Sequence, residues 1–191
     1  MKLILGSQSE ARQKVLQDAG LTFTVVPANI DEKQIRDDNL ETLPLLVARA
    51  KADALVQRIT EPLLLITADT VAVFDGQLRE KPESAEQAEQ YLADYVPNKP
   101  VQTNTGVVVT NTQTGKRVEG FDSAAAYFRP IPHDIIKQLV ATGRPFKWAG
   151  GFAIDDPLLK PYVDKIEGKY QSIYGLPLEL TMQLLEQAQT P

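Results

Sequence analysis

Cysteine is absent from the 191-residue chain, and histidine and tryptophan occur once each, at His133 and Trp148. Without a thiol there is no disulfide framework, no cysteine nucleophile and no thiolate metal centre, and a single imidazole cannot build a multi-histidine zinc site. Long apolar runs are missing too. Residues 1–5 are apolar apart from Lys2 but turn polar at Gly6, too soon for the core of a signal peptide, and residues 63–66 fall far short of a membrane span. These absences point to a cytoplasmic protein. Neither Gly115-Lys116 nor Gly168-Lys169 has the upstream glycine of a P-loop, and G-x-G-x-x-G and G-x-S-x-G do not occur. With the only imidazole at a Pro-His-Asp helix start, a Ser-His-Asp triad is disfavoured and His133 reads as structural.

Basic charge is in deficit: 20 Lys and Arg stand against 25 Asp and Glu, a net charge of −5. An acidic chain has no bulk electrostatic grip on nucleic acid or an anionic membrane, so a phosphate ligand must be held by local groups. The content of hydrophobic residues, 43%, with 24% charged, is that of an ordinary globular domain. No repeat, low-complexity tract or Pro/Gly-rich linker marks a second independent domain, so residues 1–191 read as one domain.

Residues 2–5 read as a strand, residues 6–9 as a loop and residues 11–19 as a helix. Residues 23–26 read as a second strand. Residues 42–59 form the longest predicted helix, with Leu43, Leu46, Val47, Ala50, Ala54 and Leu55 on its apolar stripe. Two apolar strands, residues 63–67 and 71–74, are expected to flank Asp69, with a turn at Asp75-Gly76. Ser84 and Gln87 fit a capping box opening a helix that runs to about Tyr95. A long hairpin is expected from residues 101–109 and 117–128. A helix ended by Gly143, a flexible turn at Ala149-Gly150-Gly151 and a closing helix over residues 178–188 complete an α/β pattern with a mixed sheet and flanking helices.

Several residues carry candidate chemistry. The loop Gly6-Ser7-Gln8-Ser9 before a helix, with Arg12 nearby, offers backbone N–H groups and hydroxyls to an anion; equally, Ser7 or Ser9 caps the helix. Asp69, set between apolar runs, needs either a partner or a job, and an Asx turn is the plain alternative. Lys51 either reaches a pocket from the helix edge or snorkels to water. Trp148, beside the glycine turn, either packs in the core or stacks on a base. If the first strands are parallel, Asp31-Glu32 and the serine loop share their carboxyl end, with Glu80-Lys81-Pro82 following the Asp69 strands. Hydrolysis of a phosphoanhydride needs such a mixture: carboxylates to hold Mg²⁺ and take a proton from water, and cations to hold phosphate oxygens.

At these residues the sequence resembles the Maf family, the septum-formation-protein homologues that act as nucleoside triphosphate pyrophosphatases. The family's A-S-x-S-P-R-R stands here as Gly6-Ser7-Gln8-Ser9-Glu10-Ala11-Arg12, its D-E as Asp31-Glu32 and its L-A-x-x-K-A as Val47-Ala48-Arg49-Ala50-Lys51-Ala52. G-A-D-T-V-V is matched by Thr67-Ala68-Asp69-Thr70-Val71-Ala72, G-K-P by Glu80-Lys81-Pro82, F-R by Phe128-Arg129 and G-L-P-L by Gly175-Leu176-Pro177-Leu178.

The resemblance implies an elongated, two-lobed α/β fold with a mixed sheet and a central cleft, related to inosine triphosphate pyrophosphatases, and a homodimer. It implies Asp69 as general base, Ser7, Arg12, Lys51 and Lys81 as phosphate ligands, and Glu32 with Asp69 as ligands of Mg²⁺ or Mn²⁺. Base-selecting positions fall on Ala11, Thr70 and Asp155, and only Thr70 matches the dTTP/UTP subgroup's Arg, Thr and Gln. Asp155 is a shorter acid than the Glu of the 7-methyl-GTP subgroup. The implied activity is hydrolysis of a nucleoside triphosphate, whether dTTP, UTP or a modified nucleotide, to a monophosphate and pyrophosphate. Two alternatives stand beside it: a non-catalytic nucleotide-binding or cell-division protein, and a house-cleaning enzyme for inosine or xanthosine triphosphate.

Overall fold

A computed structural model describes residues 1–190. Seven strands form one mixed sheet in the order β2-β1-β3-β5-β6-β7, with β4 paired to β3 off that path. The strands are β1 (Lys2–Leu5), β2 (Thr24–Val25), β3 (Leu63–Phe74), β4 (Gln77–Arg79), β5 (Val101–Asn111), β6 (Arg117–Phe128) and β7 (Val163–Glu167). The helices are α1 (Glu10–Asp18), α2 (Thr42–Val56), α3 (Ala85–Asp94), α4 (His133–Ala141), α5 (Tyr170–Ile173) and α6 (Leu178–Gln189). β1 runs parallel to both β2 and β3, whereas β4 and β7 pair antiparallel with β3 and β6. The α/β class with a mixed sheet is therefore as the sequence indicates. Among the described residues no helix is long and apolar enough to cross a membrane.

The chain packs into two compact units, the first built from residues 1–70, 104–122 and the stretch from Tyr174, the second from residues 71–103 and 123–173. In the first, the two-residue alternation of β3 sorts its side chains between two cores. Leu63 and Leu65 pack with Ile4, Ala28 and Leu55 of α2. Leu64, Ile66 and Ala68 face the opposite way, against Val15 and Leu16 of α1 and Leu184 and Leu185 of α6. Each such buried aliphatic side chain contributes about 1.5–3 kcal/mol relative to exposure. In the second unit, Phe74, Tyr95, Phe128 and Phe152 form an aromatic cluster with ring centroids 5.4–5.7 Å apart, and α3 packs on α4.

Local signals explain the element ends. The Ser9 side chain accepts from the Arg12 N–H at the start of α1, and Ser84 accepts from the Gln87 N–H at the start of α3. Asp75 and Gly76, at φ 52° and 75°, make the two-residue turn between β3 and β4.

The structure corrects several expectations. Asp69 does not lie in a turn between two strands, because β3 runs unbroken through it; the carboxylate finds a partner across the sheet and the backbone need not bend. The buried stripe of α2 comprises Leu43, Pro44, Val47, Ala48, Lys51, Ala52 and Leu55, so Lys51 lies within the buried face rather than at its edge, while Leu46, Ala50 and Ala54 are half-buried. β2 is shorter than predicted. The expected turn at Ala149–Gly151 is present, with Gly150 and Gly151 buried and Gly150 held by two hydrogen bonds. The sequence reading missed β4, β7 and α5.

Candidate active site

Strand alternation, which divides the hydrophobic core, also distributes the polar residues of the first unit. Lys51, on the α2 side, extends its ammonium to Asp69 Oδ1 at 2.8 Å and to the Ala68 carbonyl at 3.4 Å. Glu32, in the 3₁₀ turn Glu32–Gln34 after β2, brings Oε1 to 3.0 Å from the same ammonium. Asp31 caps that turn, its Oδ1 accepting from the Lys33 N–H at 3.2 Å. Lys51 is 6% exposed and Asp69 9%, too little for water to satisfy either, so the pair stands because each meets the other.

From the other side comes Arg12 of α1, 8% exposed. Its Nη1 donates to the Ala68 carbonyl at 2.8 Å and to Ser7 Oγ at 3.0 Å, Nη2 to Thr70 Oγ1 at 3.0 Å and Nε to the Gly175 carbonyl at 2.8 Å. The Ala68 carbonyl thus accepts from both Lys51 and Arg12. Thr70 Oγ1 lies 3.0 Å from Thr105 Oγ1. Gly175, at φ 79°, is required here: a Cβ would stand 2.6 Å from Thr70 Oγ1. Ser7 Oγ also accepts from the Ser9 N–H at 3.3 Å. With two donors on its acceptor side, the Ser7 hydroxyl keeps its proton to offer outward.

The electrostatics follow from burial and pairing. Burial pushes the Asp69 carboxyl above its ordinary range against the pull of Lys51 and Arg12. Partial burial acts the same way on Glu32, but Lys51 overrides it and holds that carboxyl below its usual value. Burial also lowers the Arg12 guanidinium, opposed by Asp69 and Glu32. One carboxyl is therefore shifted toward neutrality beside another that stays ionised, a division suited to proton transfer.

Ser7, Arg12, Glu32, Lys51, Asp69 and Thr70 are thus gathered in one unit, and Ala11 sits half-buried in the first turn of α1. Lys81 and Asp155 belong to the second unit, where both are exposed and make no hydrogen bond or ion pair among the described residues. The neighbouring Asp156 is the buried acid, accepting from the Leu158 N–H at 2.9 Å and pairing with Arg144. His133 is the exposed first residue of α4, and Trp148 is half-buried. Thr105 and Gly175 went unnoticed as members of the Arg12 network. Thr105 gave no separate signal, because Gln102, Thr103 and Asn104 beside it make the first half of β5 polar throughout.

Comparison with known proteins adds the family. The description Maf-like protein matches residues 2–188. The chain belongs to the Maf family. This Maf-like chain is 41% identical over 192 residues to a 7-methyl-GTP pyrophosphatase of Dictyostelium discoideum, covering 97% of this chain and 96% of that one. It is 34% identical to a nucleoside triphosphate pyrophosphatase of Salinispora tropica, with 100% and 85% covered. It is also 30% identical to a dTTP/UTP pyrophosphatase of Bdellovibrio bacteriovorus, with 96% of each covered.

Proposed function

We propose that the chain hydrolyses a nucleoside triphosphate to a monophosphate and pyrophosphate, with Asp69 taking a proton from the attacking water. The observation that carries this reading is the buried Lys51 ammonium held between Asp69 and Glu32, in a chain whose relatives are named for that reaction. Water attacks the α-phosphorus and the bond to the β-phosphate oxygen breaks, so pyrophosphate leaves with its charge matched by cations. Lys51 and Lys81 hold phosphate oxygens and the Ser7 hydroxyl donates to them. Arg12, with four N–H bonds to the protein, adds positive charge to the site and orients Ser7.

The donor chemistry fits a divalent metal. Glu32 and Asp69 bring two carboxylates to one ammonium, and Mg²⁺ or Mn²⁺ typically takes one or two carboxylates and completes its shell with water and substrate phosphates. Among the described residues no group of three or more His, Cys, Asp or Glu side chains could hold a metal by itself, which suits a site completed by the nucleotide. When bound, the metal would neutralise phosphate charge.

Base choice falls to Ala11, Thr70 and Asp155, and the exposed Asp155 carboxylate has acceptor capacity to spend on a base-edge donor. The homodimer and cytoplasmic setting belong to the same reading, and light scattering of purified protein reads the first.

The test is pyrophosphate release with Mg²⁺ or Mn²⁺ across 7-methyl-GTP, dTTP, UTP, inosine triphosphate and the ordinary nucleotides. Asp69→Asn is expected to lose about 10²–10⁴-fold in kcat, the range for a positioned base. The asparagine keeps the shape and an acceptor for Lys51, so Tm stays within a few degrees. Full activity in the variant overturns the role of Asp69. Nucleotide binding in calorimetry without pyrophosphate release from any substrate replaces the enzyme by a binding protein.

A further inference from the structure

Lys81 has an unusual setting: its side chain is exposed and unpartnered while the backbone on both sides of it is pinned. On the N-terminal side, the Arg79 guanidinium lies over the Phe74 ring at 4.6 Å and the Tyr91 ring at 4.4 Å, and its Nη2 donates to Asp94 Oδ2 at 2.5 Å. The Glu80 carbonyl, part of the peptide bond to Lys81, accepts from the Gly150 N–H at 3.1 Å. On the C-terminal side, buried Pro82 packs so closely on Gly151 that a Cβ there would stand 3.1 Å from Pro82 Cγ.

The turn that makes two of these contacts is itself anchored. Gly150 and Gly151 adopt φ 68° and 72°, and the Tyr95 hydroxyl donates to the Gly150 carbonyl at 2.6 Å. Tyr95 is 1% exposed, stacked on Phe128 and edge-on to Phe74 and Phe152, so its hydroxyl position is fixed by packing. Burial also pushes its phenol well above the ordinary range, which keeps the hydroxyl a donor at any working pH.

We infer that Tyr95 is a positioning residue for Lys81, acting through the Gly150 peptide to hold the backbone from which that ammonium meets a nucleotide's phosphate oxygens. This deepens the functional reading above and rests on its assignment of Lys81. A cation fixed at its backbone and free at its tip loses less freedom on binding an anion than one on a mobile loop. Nothing in the chemistry of water attack needs the phenol, so its effect belongs to substrate binding.

The experiment is a double-mutant cycle on the full chain, Tyr95→Phe with Lys81→Ala, reading kcat and KM with the fastest substrate among 7-methyl-GTP, dTTP and UTP. Hydrogen exchange at the Gly150 amide is measured in parallel. Phenylalanine preserves the ring packing and removes the hydroxyl alone. Tyr95→Phe is expected to raise KM roughly fivefold, the worth of one hydrogen bond, with kcat within twofold and Gly150 amide exchange at least about tenfold faster. In the Lys81→Ala background the same change leaves KM where Lys81→Ala put it. Unaltered KM and Gly150 exchange in Tyr95→Phe overturn the inference alone, as does an equal rise in KM with and without Lys81. A Lys81→Ala variant with wild-type KM overturns the assignment of Lys81 and the inference with it.

Discussion

Lys51 is a single ammonium answering two carboxylates, and its removal has a cost unlike that of a surface lysine. Asp69 is 9% exposed. Lys51→Met, close in volume and uncharged, leaves that carboxylate buried without its partner, for which about 3–5 kcal/mol of destabilisation is expected. Urea unfolding at neutral pH measures it, and a loss under about 1 kcal/mol would show that the pairing of Lys51 with Asp69 contributes little to the fold. At this scale the sequence was partly legible. Asp69 and Lys51 stand out as charges set into apolar periodicity, and the serine loop as a strand-to-helix junction. The Arg12 network was hidden because two of its acceptors are the main-chain carbonyls of Ala68 and Gly175, 56 and 163 residues away, and a carbonyl has no residue-type signature.

At the scale of elements, α2 carries Lys51 only as accurately as its own seat on the sheet allows. Gly106 of β5 provides that seat: a Cβ there would lie 2.5 Å from the Leu45 nitrogen and 2.7 Å from its Cα, backbone that cannot turn aside. Gly106→Ala is expected to displace α2, costing about 1–3 kcal/mol and lowering kcat/KM together, read by denaturation and by pyrophosphate release.

A second tie on α2 is electrostatic. Arg49 Nε donates to Glu119 Oε2 of β6 at 2.7 Å, and that hydrogen bond holds the Glu119 carboxyl below its ordinary value. A depressed carboxyl stabilises the fold above its unfolded pKa, and the contribution disappears as pH falls through the folded one. Glu119→Gln should therefore lower Tm at neutral pH by an amount worth no more than about 1 kcal/mol, since both side chains are more than a third exposed. The gap should close as the pH drops below the ordinary carboxylate range; a gap that stays constant on acidification would assign the loss to something other than the ion pair.

Helices α1 and α3 were legible because a serine cap and apolar periodicity agree along them, whereas β3 was read as two strands because Asp69 interrupts its apolar run. β7 was not legible: its Val-Asp-Lys-Ile-Glu sequence, paired only to β6, has the charged character that protects a sheet edge and hides a strand.

For the whole molecule, the course of the chain between the two compact units sets the expectation. Three of the four crossings, after residues 70, 103 and 122, fall inside β3, β5 and β6, so neither unit is a continuous piece of sequence. We propose that the chain unfolds as one cooperative body, with a calorimetric enthalpy equal to the van't Hoff value. Two resolved transitions would show that the units fold separately. The division into two cores was not legible, because the chain passes from one unit to the other inside continuous strands, after Thr70, Thr103 and Asp122, with no glycine- or proline-rich stretch to mark the change.

The alternation of β3 makes the site sensitive to a kind of genetic change that substitutions do not mimic. Asp69 meets Lys51 on one face of the strand while Thr70 meets Arg12 on the other. Deleting or inserting one residue between positions 63 and 68 would turn each of these side chains to the opposite face and exchange the two hydrophobic sets as well. A two-residue change would preserve the faces but move Asp69 along the strand by about 6–7 Å, beyond reach of Lys51. This stretch should tolerate apolar replacements in a library yet accept no change of length, leaving its residue count more tightly constrained than the identity of most of its side chains.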